Sequence, residues 1–144
     1  MAKKNTSATI SQLIREISLA QRRANNQQLS RTTSVTDQQV MILSLIAKQP
    51  GLIQKDIVDV THRRAATVSA LLKKLENEEL IIRQIPTTNS RNKELFLTEA
   101  GQQLVTEFDQ IRAQTEQQLT THLSAKQQSK LIALLTEAQR GLTD

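Results

Sequence analysis

The sequence predicts a mainly α chain of the α+β type: a helix–turn–helix, a two-stranded hairpin after it, and long helices on either side. Three observations carry this. Apolar residues recur at helical spacing through most of the chain. Two short β-type runs flank a turn-rich polar loop at residues 86–92. Glutamine-rich stretches at both ends hold only one apolar seam each, too thin for a domain centre.

The elements follow in order. Met1 to Thr6 reads as frayed, and Ser7 to about Gln28 as a helix with Ile10, Leu13, Ile14, Ile17 and Ala20 on one stripe. A loop is placed at Gln28–Val35. Thr36 opens a second helix, its hydroxyl capping the backbone while Gln39 reaches back; Val40, Leu43, Leu45 and Ile46 supply its buried side. Pro50-Gly51 ends it, because proline forbids continuation and glycine permits the bend. A third, short helix covers about Ile53 to Val60 and buries Ile57 and Val60. After the turn Thr61-His62-Arg63, a fourth runs from about Arg64 to Asn77.

Leu80–Ile85 and Lys93–Thr98 are the hairpin strands, with Leu95 and Leu97 inward and Phe96 outward. Thr98 caps a long helix to about Thr121, with Leu104, Phe108, Ile111, Thr115 and Leu119 down one side. Ser124 and Gln127 repeat the capping box before a last helix, whose Leu131, Leu134, Leu135 and Ala138 lead to Gly141. The expected division is 1–34, an N-terminal pairing helix and loop; 35–98, the helix–turn–helix with its hairpin; and 99–144, C-terminal pairing helices. Seams on Ile10, Leu13, Ile14, Ile17, Leu119, Leu131, Leu134 and Leu135 suit a homodimer, although helix hairpins within one monomer would give similar seams.

The fourth helix carries the functional signal. Val68, Leu71, Leu72 and Leu75 form one apolar stripe, while Thr67, Ala70, Lys73, Lys74 and Asn77 lie opposite, with Arg63 and Arg64 just before the first turn. A helix apolar on one side and small, hydroxylated and cationic on the other suits the DNA major groove. Charge agrees: His62 to Lys93 holds seven basic residues against three acidic, or +4, whereas Glu99 to Asp144 holds four against six, or −2. The whole chain is at +5, which favours a polyanionic partner.

Other chemistries find little support. With no Cys there are no disulfides, no thiol catalysis and no cysteine redox sensing, which fits a reducing cytoplasm. No apolar run approaches the ~18 residues of a membrane span. His62 and His122 are the only histidines, far from the three or four ligands of a zinc site. No nucleophile has an oriented base pattern, and three glycines in all leave no phosphate loop. Neither enzyme nor cofactor is expected.

The run Gly51-Leu52-Ile53-Gln54-Lys55-Asp56-Ile57-Val58, then Ala66-Thr67-Val68-Ser69-Ala70-Leu71-Leu72-Lys73-Lys74-Leu75-Glu76 and Leu80-Ile81, followed by Asn89-Ser90-Arg91 and Leu95-Phe96-Leu97-Thr98-Glu99-Ala100-Gly101, resembles the MarR (multiple antibiotic resistance regulator) family. In motif the likeness covers about Val35 to Leu104. It implies a winged helix-turn-helix homodimer with interlocking terminal helices, binding pseudo-palindromic operators in double-stranded DNA, usually as a repressor. Many such proteins release DNA when a small-molecule effector binds between the dimer and DNA-binding lobes. By position, Arg63, Arg64, Ala65, Ala66, Thr67, Ser69 and Ala70 would approach base edges and phosphates, with Lys73 and Lys93 adding charge. Arg91 would be the wing-tip arginine in the minor groove.

Three positions depart from the family pattern. Asn89 stands where an aspartate usually braces the wing arginine, Glu79 where glycine usually makes the bend after the fourth helix, and Ile53 where threonine usually caps the third. The rival reading from another class is a protein–protein adaptor that uses the same fold as scaffold. Salt-dependent duplex binding separates the two.

Overall fold

The computed structural model describes residues 5–86 and 91–143. Six helices and one hairpin follow in the order α1 (Thr6–Leu29), α2 (Asp37–Lys48), α3 (Gln54–Thr61), α4 (Ala65–Asn77), β1 (Ile81–Gln84), β2 (Glu94–Leu97), α5 (Glu99–Thr120) and α6 (Ala125–Thr143). The fold is the mainly α winged helix-turn-helix that the pattern predicts.

The capping signals explain most of the boundaries. Thr36 and Gln39 form the reciprocal box at α2: Oγ1 of Thr36 accepts from the Gln39 amide at 3.4 Å, and Oε1 of Gln39 accepts from the Thr36 amide at 2.9 Å. Ser124 and Gln127 do the same before α6. At α3 the side chain of Ile53 supplies no cap, and only half a box remains, with Asp56 Oδ2 accepting from the Ile53 amide at 3.0 Å. Asn5 caps α1 through Oδ1 on the Ala8 amide, so the helix starts at Thr6, inside the segment read as frayed. Residues 1–4 of that segment lie outside the described residues, as do 87–90 of the hairpin loop, Asn89 among them.

β1 and β2 pair antiparallel, Ile81 opposite Leu97 and Arg83 opposite Leu95. The other edge of β2 is also engaged, because Leu95 donates to Leu52 O at 2.8 Å and accepts from the Gly51 amide at 2.9 Å. The hairpin is thereby sewn to the turn after α2. Gly51 has φ +90°, and a Cβ there would sit 3.7 Å from Phe96 Cζ. Phe96 is therefore not outward, as alternation suggested; it is half-buried over the bare glycine.

One core draws on every element except α6. Val40, Ile42, Leu43 and Ile46 of α2 meet Ile57, Val68, Leu72, Leu75 and Leu95, and Leu104, Val105 and Ile111 of α5 close the other side. Leu29, within the loop placed at Gln28–Val35, is the buried last residue of α1. Val60 is 60% exposed rather than buried, and Val58 packs on the core in its place. Leu45 is only half-buried, and Ile42 takes the interior position. Gly141 does not end the last helix, which runs two residues further.

Glu79 and Leu80 form the bend from α4 into β1. Glu79 has φ +57°, the left-handed region where glycine is favoured. The bend is held from the far side by the start of α5: Thr98 donates from its amide to Leu80 O at 3.1 Å and from Oγ1 to Glu79 O at 2.7 Å. Oγ1 of Thr98 also accepts from the Gly101 amide at 3.1 Å. A Cβ at Gly101 would lie 2.1 Å from Leu80 O, so only glycine lets the helix approach this close.

Candidate nucleic-acid interface

α3 and α4 form the helix–turn–helix. His62 makes the turn with φ +53°, capping α3 in the left-handed conformation, and its side chain is exposed. α4 then begins at Ala65 with Arg64 as its cap residue, which makes no side-chain capping bond; its first turn holds no acid. Arg64, Ala65, Ala66 and Thr67 are exposed, so the start of α4, with its first backbone N–H groups and the positive end of its dipole, is accessible to an anion.

The two faces of α4 separate cleanly. Val68, Leu72 and Leu75 are wholly buried and Leu71 packs against the core. Ala65, Ala66, Thr67, Ser69, Ala70, Lys73 and Lys74 are all exposed, as is Arg64, while Arg63 is half-buried. Thr67 and Lys73 are thus open to a partner rather than covered by protein. Arg91 and Lys93, at the described end of the hairpin loop, are exposed too. The residues singled out on α4 share one surface, and the two wing residues belong to a separate projection.

A shallow cleft of about 240 Å³ lies between the start of α3 and the wing, lined by Ile53, Gln54, Lys55, Arg83, Arg91, Asn92 and Lys93. Pattern reading did not single out Gln54, Lys55 or Arg83 as site residues. Arg83 ion-pairs with Glu76 of α4 and reaches Gln54 Oε1 at 3.5 Å, tying three elements together. The available signal was that Arg83 stands two residues after inward Ile81 on β1 and so shares its inward face.

The residues assigned to pairing are placed differently. Ile10, Leu13, Ile14 and Ile17 of α1 are 43–52% exposed, and Leu119, Leu131, Leu134 and Leu135 are 42–58% exposed. Large apolar side chains this exposed along α1, at the end of α5 and along α6 are more than a solvated helix needs. A second cleft, of about 340 Å³, opens where α1, α2 and α5 meet, with Met41, Leu45 and Phe108 among its apolar lining and Arg22, Lys48 and Arg112 among its charged lining. Among the described residues, no group of three or more His, Cys, Asp or Glu could hold a metal ion, and no helix is long and apolar enough to cross a membrane.

A profile of the MarR family matches residues 35–93. The chain is 24% identical to the transcriptional regulator HosA of Escherichia coli O157:H7 over 101 residues, which are 70% of this chain and 75% of HosA. It superposes on MepR, a transcription regulator of the Staphylococcus aureus multidrug efflux pump MepA, with a TM-score of 0.77 and 34% identity, covering 92% of this chain and 97% of that one. The S. aureus MepR–DNA complex matches with a TM-score of 0.76 and 32% identity, over 96% of this chain and 99% of the other.

Proposed function

The chain belongs to the MarR family of transcriptional regulators and is not an enzyme, and from that premise we propose that it is a homodimeric repressor that reads pseudo-palindromic double-stranded DNA. The observation that carries the proposal is the exposed face of α4, with Thr67, Ser69, Ala70 and Lys73 open to solvent above a fully buried apolar stripe. The similarity to a MepR–DNA complex supports it.

In the proposed arrangement, residues 35–98 form the reading lobe, while 1–34 and 99–144 form the platform that joins two copies. The apolar seams on α1, the end of α5 and α6 pack against the partner's, fixing two α4 helices roughly 34 Å apart, one turn of B-DNA. Arg63, Arg64, Ala65, Ala66, Thr67, Ser69, Ala70 and Lys73 enter the major groove, and Arg91 with Lys93 the flanking minor groove. The cleft between α1, α2 and α5 lies where platform meets reading lobe, the place for a small effector that favours a dimer shape with the wrong spacing. The setting is cytoplasmic, where the DNA is.

Selection of bound sequences from a random duplex pool tests the proposal, followed by anisotropy titration of the enriched duplex at several salt concentrations. Enriched sequences are expected to show two half-sites about one helical turn apart. Log K is expected to fall linearly with log salt, at about −0.9 per neutralised phosphate. Arg64→Ala should cost about 1–3 kcal/mol and blur preference at particular base pairs, while Arg91→Ala weakens binding broadly. Failure to bind any duplex at low salt would leave the protein–protein adaptor as the better reading.

A further inference from the structure

We propose that the cleft between the start of α3 and the wing is a seat for a DNA backbone phosphate, with Lys55 as a contact and Arg83 as its positioning floor. The inference rests on the reading of α4 as the major-groove helix and of the wing as the minor-groove element.

Adjacent grooves of a duplex are separated by one sugar–phosphate strand. A protein that fills a major groove with one element and the neighbouring minor groove with another must therefore let that strand pass between them. Here α3 packs on α4, and a cleft separates the start of α3 from the wing. The cleft at that place is lined by Lys55 on α3, by Arg83 on β1, and by Arg91, Asn92 and Lys93 on the wing, with no carboxylate among its lining residues. Lys55, Arg83 and Lys93 ring about 240 Å³ with positive charge, which Glu76 offsets in part through its ion pair with Arg83, and the remaining field favours an anion.

The lining is not uniformly mobile side chain. Arg83 is held from below by Glu76 and from the side by Gln54, and its side chain is only 22% exposed. Its guanidinium is held in place, so it loses less conformational freedom on binding than a surface lysine does, although Glu76 offsets part of its charge. Lys55 and Lys93 are exposed and line the cleft from α3 and from the wing. Gln54 adds an amide next to the first turn of α3. Arg83 thus also registers the wing against α4, since it bridges β1, α3 and α4.

The test pairs a protein change with a DNA change. Lys55→Gln, on an exposed site, is expected to leave the melting temperature unchanged and to reduce the salt slope of duplex binding by about 0.9. The loss of affinity should be equal for the selected duplex and a scrambled one. A neutral methylphosphonate at the linkage between each half-site and its flanking minor groove should weaken wild-type binding and leave Lys55→Gln little affected. If the wild type binds, Arg64→Ala still blurs sequence preference, and Lys55→Gln keeps the full slope and full sensitivity to the neutral linkage, the cleft holds no phosphate, although the reading of α4 stands. If the wild type binds no duplex, both fall.

Discussion

Gly101→Ala tests how the reading unit is locked to the rest of the molecule. The added Cβ would lie 2.1 Å from Leu80 O, a backbone atom with no side-chain freedom to yield. Either α5 retreats or the Glu79–Leu80 bend shifts, and the bend is already held in a left-handed conformation at Glu79. Forced overpacking of this kind typically costs about 1–3 kcal/mol. Retreat also lengthens the bonds from Thr98 to Leu80 O and to Glu79 O, each worth roughly 1 kcal/mol net. Replacing a helical glycine by alanine returns about 1 kcal/mol through propensity. The balance is a loss of about 2–4 kcal/mol, or roughly 5–15 °C in melting temperature for a chain of this size. Denaturant unfolding and calorimetry, at one fixed protein concentration because the proposed dimerisation would shift apparent stability, measure it. The same change at Gly141, with nothing within 4 Å of its Cβ position, supplies the opposite case and should gain up to about 1 kcal/mol. A Gly101→Ala protein as stable as wild type would refute the close approach of α5 to the bend.

Three further outcomes are expected. Glu79→Gly should stabilise by up to about 1 kcal/mol in denaturant unfolding, because it relieves a left-handed residue, and should leave duplex affinity unchanged. Asp56→Ala, which removes the carboxylate on the Ile53 amide at an otherwise uncapped helix, should destabilise by roughly 0.5–1 kcal/mol on the same measurement. Ile14→Glu together with Leu131→Glu should shift the sedimentation coefficient from dimer to monomer while the circular dichroism spectrum keeps its helical shape, since neither residue belongs to the buried core. An unchanged sedimentation coefficient would place the pairing surface elsewhere.

What could be read from sequence, and what could not, divides by the range of the interaction. The boxes at Thr36–Gln39 and Ser124–Gln127 and the cap at Thr98 close within three residues, so the residue types alone locate them. The stripe of α4 was legible for the same reason: thirteen residues give the helical period enough turns to fix which side is buried. α3 has eight, and its phase is set by what it packs against, so Val58 and Val60 could not be told apart. Phe96 was misplaced because strand alternation assumes one paired edge, whereas Leu95 also bonds to Gly51 and Leu52, some forty residues earlier. Leu29 sits in a stretch read as a loop, and its burial in the common core depends on long-range packing of α1 that local sequence does not reveal. The bend at Glu79 shows how the two ranges meet. Its residue type argues locally against a left-handed turn, and the turn persists because Thr98, nineteen residues away, binds its carbonyl. The hydrogen bonds that impose this strain also fix where the wing leaves α4. The start of α5 thus takes part, with the hairpin itself, in setting how the wing departs from the exposed face of α4.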